Sequence, residues 1–498
     1  MMEIQLDLSS VMDYKLFLRV KSLPRYHFRG RTAVFPDEFA AIVGLESVEV
    51  VKPIPYNPID RLFDYQEDIV RKAIERRKFA IFADCGLGKT LMEFEFARQA
   101  AKSLPGNKCV LIVTPLMVIP QILEELERFY GDSLPMRKVR ASELHDWLVD
   151  GSDKIGITNW EAIREDIVPG RLGALICDES SFFKGRYGKW GSRCIELGRG
   201  LEWKLAATGT PAPNDRIEYG NHAVFLDVFP TYNSFLSRYF VNRGKSGGQW
   251  ELKPHGTDDF YHGLSEWAIF LSNPSVYGWR DHSNDIPEIR THIHNIDLTK
   301  DQAGIMRKEF GGFFVTSATL GGIGSRSKAS QLAKGRYKGE NVPTNKFKVI
   351  RDLVDSWPDE STILWCLYND EQDVLEKTFP EAHSLRGTTS DDDRIRMVSD
   401  FKAGRCRIII SKPKIMGFGL NLQIATRQVF SGLQDSYEAF YQCVKRSNRV
   451  GSTRPLNVHI PITQLERPLV ENVLRKADRV LADTEEQERI FRDAIEKG

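Results

Sequence analysis

Two stretches of this chain carry residue types suited to handling a polyphosphate. The first is Gly86-Leu87-Gly88-Lys89-Thr90. It follows the apolar run from Phe79 to Ala83 and opens the amphipathic run from Leu91 to Ala101, the order strand, loop, helix. In that order the backbone N–H groups of Gly86, Leu87 and Gly88 and the helix N-terminus hold an anion. Lys89 then reaches the β- and γ-phosphates and Thr90 the magnesium ion. The second stretch, Leu175-Ile176-Cys177-Asp178-Glu179, is an apolar strand ending in two acids. Asp178 is expected at the same magnesium, and Glu179 as the base that takes a proton from the attacking water or orients it. Ala83 stands where the full phosphate-loop pattern has its first glycine, so the assignment rests on context. A second triplet, Gly244-Lys245-Ser246, lacks a preceding strand and runs into Gly247-Gly248-Gln249; it reads as a loop.

The elements that must position these residues follow a simple rhythm. From residue 60 to about 215, apolar strands (Phe79–Ala83, Cys109–Val113, 155–158, 174–177, 204–208) alternate with amphipathic helices. That alternation predicts an α/β domain built on a parallel sheet. It stops after Pro213. Residues 216–343 are richer in aromatic residues and read as helices and loops, and a basic run that begins there, Arg326, Lys328, Lys334, Arg336 and Lys338, continues past its end to Lys346 and Lys348. The rhythm resumes at 362–367, 407–410 and 427–430, a second α/β domain spanning 344–463. The tail, 464–498, has helical periodicity and is expected to brace the second domain. Residues 1–55 form a small basic module in which Lys15, Arg19, Lys21, Arg25, Arg29 and Arg31 interleave with Tyr26, His27 and Phe28.

The bulk properties narrow the class. With 498 residues, 41% hydrophobic and 28% charged, the chain suits about three globular domains. A net charge of +1 announces neither a nucleic-acid nor a membrane partner, so local patches must be judged separately. The seven cysteines, Cys85, Cys109, Cys177, Cys194, Cys366, Cys406 and Cys443, have neither metal-ligand nor C-x-x-C spacing, and buried free thiols are expected. No apolar run is long enough to span a membrane, and a cytoplasmic monomer without a membrane partner is expected.

Taken in order, the motifs resemble the Swi/Snf-like DNA translocase branch of the superfamily-2 ATPases over roughly residues 60–465. Leu62-Phe63-Asp64-Tyr65-Gln66 resembles the adenine-reading element, which places Gln66 on the base and makes ATP the nucleotide. Asp84-Cys85-Gly86-Leu87-Gly88-Lys89-Thr90 resembles D-E-x-G-L-G-K-T. Val113-Thr114-Pro115-Leu116 resembles the strand end that touches the DNA backbone, which implies DNA contact by Thr114 and Pro115. Thr208-Gly209-Thr210-Pro211 resembles the T-G-T-P element that couples the ATP and DNA sites. In the second domain Leu385-Arg386-Gly387, Arg394 and Phe401 match the G…R…F pattern, and Gly417-Phe418-Gly419-Leu420-Asn421 resembles G-L-G-L-N, with Gly417 and Gly419 at the nucleotide. The run Gln442 to Gly451 resembles Q-x-x-x-R-x-x-R-x-G, which gives Gln442, Arg446 and Arg449 catalytic roles, the arginines facing the γ-phosphate. Ser181, Met416 and Ser452 depart from the family pattern; Ser181 replaces the histidine of D-E-x-H, so coupling is expected to run by another route.

The resemblance implies two RecA-like parallel-sheet lobes, a helical insertion between them, and a small β-rich module resembling the one that precedes the motor in annealing helicases. It implies an ATP- and Mg2+-using motor on duplex DNA that reshapes forks, junctions or bubbles in a bacterial or bacteriophage setting. A strand-separating helicase and an ATP-driven remover of DNA-bound protein partners are the alternatives. Arg25, Arg29, Arg326 and Lys328 are the candidate phosphate contacts.

Overall fold

A crossover helix returns the chain to the same end of a sheet, so strands that alternate with helices pair in parallel. The computed structural model describes all residues except 1, 8–9, 24–25, 36–38, 46–53, 186–187, 213–214, 245–249, 255, 281–285, 312–322, 417–419, 435, 450–451 and 498. Its described chain divides into two units, Met1–Asp281 with Thr484–Gly498, and His282–Asp483.

The first unit holds a seven-stranded sheet in the order Ala268–Leu271, Lys78–Ala83, Trp203–Ala207, Leu172–Asp178, Cys109–Thr114, Ile155–Asn159, Arg137–Lys138. Every pairing in it is parallel. All residues of Leu172–Asp178 and Cys109–Thr114 are buried, which is why these strands read as unbroken apolar runs. Alternate side chains serve opposite faces: Val110 and Ile112 enter one core cluster, Leu111 and Val113 the other. The phosphate-loop strand and the Asp178 strand are not neighbours. Trp203–Ala207 lies between them, so Thr208-Gly209-Thr210 emerges between loop and acids at the carboxyl edge, where α/β sheets place their ligands.

The second unit holds six parallel strands in the order Ile289–Ile296, Leu456–Thr463, Arg427–Phe430, Thr362–Trp365, Ile408–Ser411, His383–Ser384. The two α/β lobes expected from the alternation are thus present. A three-stranded antiparallel sheet, with Thr32–Phe35 between Met2–Gln5 and His27–Arg29, packs with the helix Val11–Lys21 around Val20, Leu23, Ala33 and Phe35.

Three features depart from the sequence expectation. The stretch 216–343 supplies helices, among them Tyr219–Phe225, Tyr232–Tyr239, Thr257–Ser265, Lys300–Phe310 and Ile323–Ala333, but also one strand to each large sheet. Ala268–Leu271 is too short for its period to show, and Ile289–Ile296 is a largely exposed edge strand with little apolar content. The tail forms one helix, Arg467–Lys497, whose residues from Thr484 onward belong to the first unit; Ile490 and Phe491 lie in its core. Among the basic residues of the 326–348 run, Lys334 and Lys346 are buried on Glu466.

Candidate ATP site and its coupling elements

The loop conformation follows from its glycines. Gly88 has φ +73°, and a Cβ there would run into the Gln66 carboxamide. It precedes the helix Lys89–Ser103 and offers no capping side chain, which leaves the first-turn N–H groups to a ligand. The Lys89 ammonium donates to the carbonyls of Ala83 (2.7 Å) and Asp84 (3.2 Å), so it lies over the loop. Thr90 is half-buried at the start of the helix.

Asp178 and Glu179 end the Leu172–Asp178 strand, and both are buried. The Thr114 hydroxyl donates to Asp178 Oδ2 (2.7 Å) and the Glu179 N–H to Asp178 Oδ1 (2.9 Å). Burial pushes the Asp178 carboxyl up to about 6; the Glu179 charge pushes the same way, while Thr114 and Lys89 pull it back. Glu179 adopts φ +52°, a left-handed conformation that costs a non-glycine residue on the order of 1–3 kcal/mol and is held where function needs it. Hard oxygen donors at Asp178 and Thr90 suit a magnesium ion.

A third acid joins this edge. Glu93, one turn along from Lys89, is buried against Asp178, and burial first and the Asp178 charge second raise its carboxyl well above the usual range. Sequence reasoning missed it. The available signal was an acid inside the apolar helical run Leu91-Met92-Glu93-Phe94.

The segment Thr208-Gly209-Thr210 touches this group directly. The Thr208 hydroxyl donates to Glu179 Oε2 (3.3 Å), and the Thr210 N–H donates to Thr208 Oγ1 (3.2 Å). Gly209 lies against the loop strand, where a Cβ would come within 3.3 Å of the Ala83 carbonyl. Ser181 stays local, its hydroxyl on the Glu179 carbonyl (3.5 Å), while the helix Tyr219–Phe225 brings His222 to Ser180 Oγ (3.0 Å). Burial pushes His222 down to about 4 and keeps it neutral.

The other candidates are placed as follows. Gln66 is buried; its Oε1 accepts the Phe63 N–H (3.0 Å) and its Nε2 donates to the Leu87 carbonyl (3.2 Å), tying the base-side helix Asp64–Arg76 to the phosphate loop. Thr114 and Pro115 are buried, and the Thr114 hydroxyl is committed to Asp178 rather than presented to a polymer; Leu116 is the exposed residue there. Strand-end burial beside a carboxylate, invisible in the motif, is the reason. Arg29 is exposed near Glu3 (3.3 Å), and Lys328 is exposed on the helix Ile323–Ala333, with Arg326 half-buried. In the second unit Gln442 and Arg446 lie on the helix Tyr437–Ser447, both buried, with Arg446 Nε donating to the Gln442 carbonyl (3.2 Å). The Arg449 N–H donates to Ser452 Oγ (3.1 Å), the residue that departs from the family pattern. Arg25, Gly417, Gly419, Gly451 and the Lys245-Ser246 pair lie outside the described residues.

Two family models and several known proteins match this chain. Residues 59–181 match the family of the type III restriction enzyme res subunit, and residues 345–451 match the helicase conserved C-terminal domain. The chain is 24% identical to protein p41 of Acyrthosiphon pisum secondary endosymbiont phage 1 over 444 residues, 79% of this chain and 91% of that one. It is 21% identical to the Drosophila melanogaster SWI/SNF-related matrix-associated actin-dependent regulator of chromatin subfamily A-like protein 1 over 494 residues. That match takes in 94% of this chain but 61% of the fly protein. The Sulfolobus solfataricus SWI2/SNF2 ATPase core in complex with dsDNA matches at 21% identity and TM-score 0.39, covering 84% of this chain and 90% of that one. Among the described residues no helix is long and apolar enough to cross a membrane.

Proposed function

We propose that the chain is a DNA-dependent ATP hydrolase of the Swi/Snf-like branch of the superfamily-2 ATPases, a translocase that moves on duplex DNA and remodels forks, junctions or bubbles. The observation that carries this reading is the hydrogen-bond relay from the Thr210 N–H through the Thr208 hydroxyl to Glu179. A static hydrolase has no need to tie its base to a separate loop. A motor does, because polymer contact must gate turnover.

In this reading Lys89 and the loop N–H groups hold the β- and γ-phosphates. Glu179, held by Thr208 and by its left-handed backbone, takes the proton of the attacking water or orients it. Asp178 and Thr90 would hold a magnesium ion, which would supply positive charge at the phosphates. Arg446 and Arg449 supply positive charge at the transition state, a contribution of about 10³–10⁵ in rate. Gln66 acts on adenine through the helix it ties to the loop. The name of the fly relative, a regulator of chromatin, supports DNA as the track. Arg29, Arg326 and Lys328 are the proposed phosphate contacts; Lys334 and Lys346 are withdrawn from that role by burial.

The test is the steady-state ATPase rate with no nucleic acid, single strands, duplex, forked DNA and RNA in parallel, with Lys89→Ala as control. Duplex or forked DNA is expected to stimulate most. Stimulation by single strands or RNA alone would replace the translocase with a strand-separating helicase. A rate indifferent to all of them would leave a remodeller gated by a protein partner.

A further inference from the structure

We propose that Glu488 and Phe491, near the end of the C-terminal helix, are positioning residues for the phosphate loop. The inference rests on the ATP-site reading above and adds residues that no motif contains.

The carboxylate of Glu488 is buried, and its Oε1 accepts two successive backbone N–H groups, Ser272 (2.5 Å) and Asn273 (3.3 Å). These two residues directly follow the strand Ala268–Leu271. That strand pairs in parallel with the phosphate-loop strand, Leu271 opposite Ala83. The contact continues one residue further, where the Asp84 N–H donates to the Leu271 carbonyl (2.8 Å). Asp84 then accepts the Cys85 N–H on Oδ1 (2.7 Å), and the carbonyls of Ala83 and Asp84 receive the Lys89 ammonium. A short chain of bonds therefore runs from Glu488 to the loop lysine. Phe491 meets Phe270 of the same strand edge-on, with ring centroids 5.1 Å apart, and Gln487 donates to the Tyr261 hydroxyl (3.2 Å).

A four-residue edge strand has few bonds of its own to hold its end. The anchor that fixes it comes from more than two hundred residues away in sequence, on the part of the C-terminal helix that belongs to the same unit.

Cys85 supplies a reporter, since it is half-buried in the loop while the other six cysteines are buried. The experiment compares wild type, Glu488→Ala, Glu488→Gln, Phe491→Leu and Lys89→Ala in the full chain. It reads KM for ATP, kcat, thermal midpoint, and the rate at which a chromogenic disulfide reagent modifies Cys85, with and without ATP. Glu488→Ala is expected to raise KM between about 3- and 100-fold, the range loop misplacement produces, and to speed Cys85 modification. Glu488→Gln, which keeps an acceptor oxygen, is expected to restore both. Phe491→Leu, which keeps the core filled, is expected to show a weaker form of the same shift and answers for Glu488→Ala if that variant does not fold. Wild-type KM and Cys85 rates in the Glu488 and Phe491 variants, with ATP still protecting Cys85, would overturn the inference. Failure of ATP to protect wild-type Cys85, or full protection in Lys89→Ala, would instead overturn the loop assignment beneath it.

Discussion

Both units bury a cluster of charges beside a parallel sheet, and the two clusters are built on opposite principles. In the first, Asp178, Glu179 and Glu93 crowd one edge with Lys89 as the cation among them. Like charges and burial act together there, so the Asp178 and Glu93 carboxyls are driven upward and the group is short of positive charge. In the second, Glu466 lies between Lys334 (3.0 Å) and Lys346 (2.6 Å), and Lys346 also donates to the Ser431 and Pro461 carbonyls. Burial pushes Lys346 down to about 8, while the two ammonium groups hold Glu466 below the usual carboxylate range against its own burial. The same cost of taking ions out of water is met internally in the second cluster and left unmet in the first. Unmet charge is what a site for a cation and a polyphosphate requires; met charge is what an anchor requires.

The contrast breaks hardest at Lys89. Lys89→Ala removes the cation of the first cluster and is expected to abolish hydrolysis, read as loss of steady-state turnover with the fold intact by circular dichroism. Turnover at the wild-type rate would refute the loop assignment. Glu179→Gln keeps the shape and removes the base. Nucleotide binding should persist while kcat falls about 10²–10⁴-fold. An unchanged kcat would take Glu179 out of the chemistry and leave Thr208 holding a bystander.

The second cluster should answer the same kind of change in stability rather than rate. Glu466→Ala strands two buried ammonium groups, and breaking such a pair costs about 3–5 kcal/mol. For a unit of this size that lowers the thermal midpoint by roughly 6–20 °C. Replacing Lys334, Lys346 and Glu466 together by methionine should recover most of the loss, since an apolar set of similar volume needs no partners. If Glu466→Ala lowered kcat without moving the midpoint, this cluster would belong to the chemistry and the contrast would fail.

What the sequence made legible follows the same division. The parallel lobes were readable because strands buried on both faces are unbroken apolar runs, as Leu172–Asp178 and Cys109–Thr114 show. The phosphate loop and the paired acids were readable because their chemistry depends on neighbours in sequence. Glu93, the Thr208–Glu179 bond and the Glu488 anchor depend on neighbours in space, 29 residues apart in sequence for the second and 216 for the third. The Thr114–Asp178 bond was hidden for the same reason: a motif records that a threonine ends the strand, while burial decides what its hydroxyl meets. The edge strands stayed hidden because one is four residues long and the other is mostly polar.

The smallest expected effect separates charge that is met from charge that is refused. His459, in the second unit, stacks between Trp357 (centroids 4.5 Å) and the rings of His292 (4.8 Å) and His294 (5.2 Å), and the His294 Nε2–His459 Nδ1 pair is 2.9 Å apart. Burial first, then His292, His294 and Arg427, push His459 down to about 3. In the unfolded chain a histidine titrates near 6.5. Above that pH neither state is protonated and the full stability is present. Below it the unfolded chain takes a proton that the folded one refuses, so stability falls as pH drops, by about 2 kcal/mol at pH 5. Arg427, whose guanidinium lies over Trp357, is one of the charges that oppose protonation of His459. His459→Phe keeps a ring in the stack and removes the titration. Chemical unfolding of the second unit at pH 7 and pH 5 should therefore show the drop in wild type and a shallower one in the variant, while Lys89→Ala leaves the drop untouched. An equal drop in wild type and His459→Phe would show that the stacked histidines accept protons in place, as an open site would, and would erase the difference drawn between the two clusters at their quietest member.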